Sequence, residues 1–365
     1  MSEKNRSAGG TAYLEVKKSQ LQPKSLKNPY ETFLSRTRND TPQELHEKSL
    51  LVTRLLAELH QVKPNQRVNS AVQFGIAMIL SALDGQSFVP NANNMKVVFL
   101  SPESFKNLKM GKTSGGVMIP GIDIVFVQLD PQDTDFITAS NAFHELVHSW
   151  IDKQVHALHS EVNETDDSRK TFIEVRRVGL MVRHLLRDSL TGEINDSEFL
   201  GELVNELGNF AWQSIFLERI QNDKEMRTLF ADEFTLREAK LLEMFGDPKA
   251  GSITVGITDE NNKETTVSLD SKNLFWNKMG KIEVSSTTLI MQLVDDLSFI
   301  VGDVGQLNFR QALVSLKTRP EQQSYLRNAL DSKLGQGFYS KLRRANYHTL
   351  SSLLSLLSEV QTHLL

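Results

Sequence analysis

The feature that most constrains this chain is a pair of histidines four residues apart inside one amphipathic segment. The segment spans about 133–157 and reads His144-Glu145-Leu146-Val147-His148 near its centre. Apolar residues recur around the pair at helical spacing, which predicts a helix. On a helix, residues i and i+4 lie one turn apart on the same face, so both imidazoles can bind a single ion.

The amino-acid composition narrows the choice of ligands for such an ion. The chain has 9 histidines and no cysteine, which excludes disulfide scaffolds, zinc ribbons and Cys-ligated clusters. Two histidines and one carboxylate would leave a fourth position for water, as in catalytic Zn²⁺ sites. Glu145 follows the first histidine directly and is placed to take a proton from that water. The sequence therefore predicts a zinc-dependent hydrolase of peptide bonds with Glu145 as the catalytic base.

Several glutamates are candidates for the third metal ligand. Glu164 lies in a polar stretch without helical periodicity, whereas Glu174 and Glu206 lie in segments with helical spacing, 172–186 and 199–217. A ligand on a packed element is held more firmly than one on a loop, which favours the latter two.

Two resemblances bear on this choice. The sequence HELVHSW at 144–150, followed by EVRRVGL at 174–180, resembles the NleD-type effector metalloproteases of pathogenic bacteria. That resemblance implies Glu174 as the ligand, injection into host cells without a signal peptide, and cleavage of host proteins. Asn205-Glu206 is similar to the Asn-Glu pair of gluzincins more widely, although Phe210 stands where their supporting Asp would be. This second resemblance implies Glu206 as the alternative ligand.

The overall pattern is that of an α+β protein, mostly helical, with a small sheet preceding the His144–His148 helix. Strands are predicted at 95–100 and 122–127, and the second is a candidate edge for an added peptide strand. Helices are predicted at 45–59 and 68–83, and again from about 286 to the Leu-rich end at 350–365. Three regions are expected: a flexible basic arm over 1–40, a zincin-like metalloprotease domain over 41–245, and a hairpin with a helical C-terminal region over 246–365.

Charge and hydropathy limit the expected partners. Acidic residues outnumber basic ones, 45 to 41, which argues against a general nucleic-acid binder. The polar first ten residues and the lack of a long apolar run predict no cleaved signal and no membrane span. We expect a cytoplasmic protein, or one exported without a cleaved signal, that acts on a protein or peptide substrate.

Other residues are candidates for stabilising the transition state. His156 and His159 follow the motif closely, and Tyr347-His348 could act from the C-terminal region. The competing interpretation is a non-catalytic interaction protein in which the two histidines are structural and the C-terminal helices bind a partner.

Overall fold

The computed structural model describes residues 50, 53–54, 56–83, 96–108, 115–118, 124–151, 156–162, 171–178, 181–188, 194–247, 251–318 and 323–364. For the described residues between 149 and 200, and for 282–283 and 316–318, only the backbone is described. The predicted basic arm 1–40 and Glu164 lie outside these residues. Of the predicted helix 45–59, residues 53–54 and 56–58 are helical.

A three-stranded sheet precedes the histidine-bearing helix, as predicted. Its strands are β1 (Lys96–Leu100), β2 (Gly116–Met118) and β3 (Ile124–Gln128), in the order β1-β3-β2. Strand β1 runs parallel to β3, and β2 runs antiparallel to it. The prediction of an edge at 122–127 is wrong, because β3 is paired on both sides. The edge strand on that side is β2.

Three helices lie in this part of the described chain. They are α1 (Gln66–Leu83), the short α2 (Pro102–Asn107) and α3 (Asp135–Ile151), which carries the His144–His148 motif. Helix α3 packs against α1, β2 and β3. Helix α2 begins directly after Ser101, whose side chain accepts a hydrogen bond from the Ser104 N–H.

The start of α3 is fixed by side chains from two directions. The Thr134 hydroxyl accepts a hydrogen bond from the Ile137 N–H, 3.2 Å away. The buried Glu233 carboxylate accepts from the N–H groups of Asp135, at 2.9 Å, and Phe136, at 3.0 Å. These N–H groups have no partner within the helix, so Glu233 supplies the capping contact from a distant helix.

The segment after α3 differs from the prediction. We expected helix to about 157 and a further helix over 172–186, but α3 ends at Ile151 and four antiparallel strands follow in the order β4-β5-β6-β7. Their bounds are β4 His156–Val162, β5 Thr171–Val178, β6 Met181–Asp188 and β7 Ile194–Leu200. The register pairs Val178 with Met181, so only Gly179-Leu180 separates β5 from β6. A two-residue connection with glycine, flanked by β-branched residues, is typical of a hairpin.

The predicted helix around Glu206 is present and longer than expected. Helix α4 spans Glu202–Asn222 and packs against α3, and it is followed by α5 (Lys224–Leu229) and α6 (Ala231–Phe245). Its side chains are buried over most of its surface, including several polar ones. A helix that is buried on all sides lacks the separate apolar and polar faces that are typical of a surface helix.

The C-terminal third begins with the predicted hairpin. Strands β8 (Ser252–Thr258) and β9 (Glu264–Asp270) are antiparallel, and the Asp259 side chain accepts hydrogen bonds from the N–H groups of Asn261 and Lys263. Asn262 adopts a positive φ of 59°, which Asn tolerates better than most residues.

Short strands and helices complete the chain. The strands are β10 Phe275–Trp276, β11 Ile282–Glu283, β12 Asp303–Val304 and β13 Leu307–Asn308. The helices are α7 Ser286–Val301, α8 Phe309–Thr318, α9 Gln323–Leu334, α10 Phe338–Arg344 and α11 Leu350–Gln361. The helical C-terminal region predicted from about 286 is therefore present among the described residues.

The C-terminal helix is attached to the hairpin through one amide side chain. Gln361 donates from Nε2 to the Ser268 carbonyl, at 2.6 Å, and to Asp296 Oδ2, at 2.9 Å, while its Oε1 accepts from the Ser268 N–H. The Asp296 carboxyl also accepts from Gln292. Burial raises the pKa of Asp296, and the two glutamine hydrogen bonds act in the opposite direction.

One hydrophobic cluster contains buried residues from Val68 to Val360 and therefore from both sides of residue 245. The described chain is α+β and mostly helical, while the division into regions at 40 and 245 stays a prediction. No helix in the described ranges has the length and apolar character needed to cross a membrane.

Candidate metal centre

The structure brings His144, His148 and Glu206 together between α3 and α4. The two Nε2 atoms lie 3.1 Å apart. Each is 3.3 Å from a different oxygen of the Glu206 carboxylate: His144 Nε2 from Oε2, and His148 Nε2 from Oε1. All three side chains are buried. These ligand atoms form the only such group within the part of the chain whose side chains are described.

The spacing of these atoms fits a tetrahedral metal ion. Zinc binds imidazole nitrogen and carboxylate oxygen at about 2.0–2.2 Å, so two such ligands on a tetrahedral ion lie about 3.3–3.5 Å apart. The observed separations of 3.1–3.3 Å are close to that value. A His₂Glu set of nitrogen and oxygen donors is also the ligand chemistry of catalytic zinc.

The charge of Glu206 suits a metal ligand. Burial acts to raise the pKa of its carboxyl, but the neighbouring imidazoles of His148 and His144 outweigh burial and hold the pKa well below its ordinary value. The carboxylate is therefore ionised at neutral pH, which is the form that binds a cation.

His144 is oriented by a chain of two polar side chains. Its Nδ1 lies 3.0 Å from Gln213 Oε1, and Gln213 Nε2 donates to Ser140 Oγ at 2.6 Å. With Nδ1–H donating to the amide oxygen, Nε2 carries the lone pair that faces the metal position. The Phe210 ring, whose centroid is 4.6 Å from that of the imidazole, packs beside it.

His148 has an amide neighbour of its own. Asn209 Nδ2 lies 2.8 Å from His148 Nδ1 and 2.6 Å from its Nε2. Asn209 and Gln213 lie three and seven residues after Glu206, so helical spacing places all three on the α4 face that meets α3. The sequence reasoning missed both amides. Polar residues at helical spacing after Asn205-Glu206 were the available signal, and Asn209 stands one residue before the position where gluzincins place an Asp.

Glu145 occupies a buried position beside the three ligands. It is 3% exposed, and its Oε2 has no hydrogen-bond partner among the described residues. Burial raises the pKa of its carboxyl, whereas the imidazoles of His148 and His144 act to lower it. An uncommitted, buried carboxylate oxygen with a raised pKa is typical of a group that accepts and returns protons.

The edge strand β2 approaches α3 through two glycines. A Cβ atom placed on Gly116 would lie 2.5 Å from Glu145 Cγ, and one on Gly115 would lie 2.2 Å from Asn141 Nδ2. Only glycine allows the strand to lie this close to the helix. A small cleft of about 10 Å³ remains there, about the volume of one water molecule. It is lined by Gly115, Gly116, Asn141, His144, Glu145, Phe210, Gln213 and Thr287.

The other predicted candidates lie elsewhere in the fold. Glu174 is in strand β5 rather than in a helix, and its register partner in β4 is His159; His156 begins β4. Their side chains are outside the described part. Tyr347 is buried with its ring 4.0 Å from that of His348, and His348 Nε2 is 3.5 Å from Glu202 in the first turn of α4.

In comparisons with protein-family models, with curated proteins and with solved structures, nothing matches this chain. The case for a function therefore depends on the residues and their geometry.

Proposed function

We propose that the chain is a zinc-dependent endopeptidase whose metal is held by His144, His148 and Glu206. The observation that carries the proposal is the convergence of three buried ligand atoms, 3.1–3.3 Å apart, next to the buried carboxylate of Glu145. Structural zinc sites are closed by four protein ligands, whereas three ligands beside a free base are typical of hydrolysis.

The residues divide the chemistry between them. Zinc, when bound, supplies Lewis acidity that lowers the pKa of water and polarises a carbonyl. Glu145 accepts the proton of the attacking water as the new C–O bond forms. It then gives that proton to the amide nitrogen as the C–N bond breaks, so the base is regenerated. The Gln213 amide oxygen, which accepts from His144 Nδ1–H, holds that imidazole in the orientation that this geometry needs.

The proposed substrate is an extended peptide that binds beside this base. Among the described strands, β2 is paired only with β3 and lies at the edge of the sheet. A substrate strand that added to the other side of β2 would pass the cleft at Gly116, next to Glu145. Backbone hydrogen bonds to an edge strand favour a protein or peptide substrate over a small molecule.

A narrower proposal concerns the biological target. The segments HELVHSW and EVRRVGL, which resemble the NleD-type effectors, favour a host protein as the substrate of an injected enzyme. An intracellular housekeeping peptidase is the alternative within the same chemistry. Comparison of new protein N-termini in eukaryotic and bacterial lysates, each treated with the enzyme, distinguishes the two.

The test of the chemistry uses one variant and a matched control. Purified protein should bind one equivalent of zinc, and Glu145→Gln should keep the metal while cleavage falls at least ~100-fold, as expected for loss of a general base. The control, Glu243→Gln, removes an exposed carboxylate and should change neither quantity. Protein that binds no zinc, or equal cleavage by Glu145→Gln, would refute the proposal and leave a non-catalytic interaction protein as the better interpretation.

A further inference from the structure

Helix α7 begins at the same cleft as Glu145, although it lies far along the chain. Its cap residue Ser285 accepts a hydrogen bond from the Thr288 N–H, and the Thr288 hydroxyl accepts one from the Ser285 N–H. Both hydroxyls are thereby committed to the capping box. Of the two residues between them, Thr287 lines the cleft together with His144, Glu145 and Gln213.

The Thr287 hydroxyl is a hydrogen-bond donor at that position. Its side chain is nine-tenths buried, at 9% exposed, and its hydroxyl makes no hydrogen bond with any described residue. The N–H groups of Ser286 and Thr287 belong to the first turn, where no carbonyl within the helix can accept them. A nearly buried hydroxyl at a helix start is therefore available to donate to a group that enters the cleft.

The charge at this wall of the cleft is positive. The first turn of an α-helix carries about half a unit of positive charge, and α7 is long enough, from Ser286 to Val301, for the full effect. The Glu145 side chain lines the same cleft. A substrate carbonyl at this cleft would meet both the base and these hydrogen-bond donors.

We propose that Thr287 is the transition-state stabiliser of the reaction, donating from its hydroxyl to the carbonyl oxygen of the scissile bond. This inference rests on the proposed function. As the water oxygen adds to the carbonyl carbon, the electron pair of the C=O bond moves onto the carbonyl oxygen. The Thr287 O–H donates a hydrogen bond to that oxygen without losing its proton. The pair returns when the C–N bond breaks and Glu145 delivers the water proton to nitrogen.

This assignment differs from the sequence candidates His156, His159, Tyr347 and His348. Of the residues whose side chains are described, Thr287 lines the cleft, whereas Tyr347 and His348 do not. A hydroxyl at a helix start is also neutral, so it stabilises the developing charge without a titration of its own.

The experiment measures binding of a tetrahedral anion and catalysis separately. The probe is an N-phosphoryl dipeptide, whose phosphoramidate oxygens imitate the charged carbonyl oxygen, titrated by calorimetry into zinc-loaded protein. Thr287→Val removes the hydroxyl with little change of shape, and Thr287→Ser restores it. Thr235→Val, on an exposed position of α6, is the control. All variants should keep one equivalent of zinc.

We expect Thr287→Val to weaken the probe at least ~10-fold and to lower kcat by ~100-fold with KM nearly unchanged, as for loss of one oxyanion donor. Thr287→Ser should recover most of both. Equal probe affinity for Thr287→Val and wild type, or no binding to zinc-loaded wild type, would overturn the inference. Failure of the endopeptidase proposal would give a different result, because cleavage by Glu145→Gln would then equal that of wild type. Thr287-dependent probe binding would still support the donor role in that case.

Discussion

A methyl group at Gly116 tests how closely the edge strand must approach the proposed base. In Gly116→Ala the new Cβ would lie 2.5 Å from Glu145 Cγ and 3.3 Å from both Glu145 Cδ and the Phe126 carbonyl oxygen. The backbone of β2 is held by its pairing with β3, so the Glu145 side chain has to give way.

The size of the displacement follows from these distances. Ordinary van der Waals contact begins at 3.4 Å, so the methyl and Cγ must separate by about 0.9 Å. A catalytic group moved by about 1 Å loses on the order of 100-fold in rate. Overpacking of a well-packed site also lowers the free energy of unfolding by about 1–3 kcal/mol. The methyl touches none of the three ligands among its nearest atoms, so zinc binding should be retained.

The assay compares Gly116→Ala with Gly251→Ala, where an added Cβ meets nothing within 4 Å. Zinc content, unfolding in urea and kcat on a protein substrate are measured for both. We expect full zinc in each, with the loss of kcat confined to Gly116→Ala. Wild-type kcat in Gly116→Ala would refute the reasoning, because Glu145 would then act from a position that does not depend on β2.

Three further predictions concern the ligands, their orientation and pH. Glu206→Gln should lower zinc affinity at least ~100-fold, while Glu174→Gln should bind zinc as wild type does. Competition with a chelating dye measures both affinities. The reverse result would make Glu174 the ligand. Gln213→Leu should weaken zinc 10- to 100-fold because the His144 ring loses its hydrogen-bond acceptor, and unchanged affinity would contradict that role. Asp296→Asn should be less stable than wild type because it loses an acceptor, but the difference should shrink as the pH rises. The pKa of Asp296 is raised in the folded state. The stability that Asp296 contributes is therefore fully present below its unfolded-state pKa of about 3.9, and it is lost as the pH rises through its folded-state pKa. Urea unfolding at pH 4 and pH 7 measures this, and an equal difference at both would count against a raised pKa.

The elements that the sequence predicts well are those with strong local signals. Helix α3 begins at Asp135, directly after Thr134, because a hydroxyl cap and an apolar period coincide there, and strand β1 is a short β-branched run. The spacing of His144 and His148 follows from helix geometry alone, which requires no knowledge of the rest of the fold.

The predictions that fail depend on contacts distant in sequence. Residues 172–186 place apolar side chains at spacings that suit a helix, but pairing with β4 and β7 makes them strands. The choice between Glu174 and Glu206 depends on which element packs against α3, and α4 does so. The roles proposed for Gln213 and Thr287 likewise depend on packing that no local pattern encodes.

The position of the three candidate ligands has a consequence for how much protein a cell holds. His144 and His148 belong to one helix and Glu206 to another, so a bound ion joins two elements that are separate in the unfolded chain. An ion that binds only the folded form stabilises it by about 2.7 kcal/mol at a concentration 100 times its dissociation constant. With zinc in this site, the folded fraction would rise and fall with the free zinc around it. Degradation would then remove the protein fastest where free zinc is too low to occupy the site.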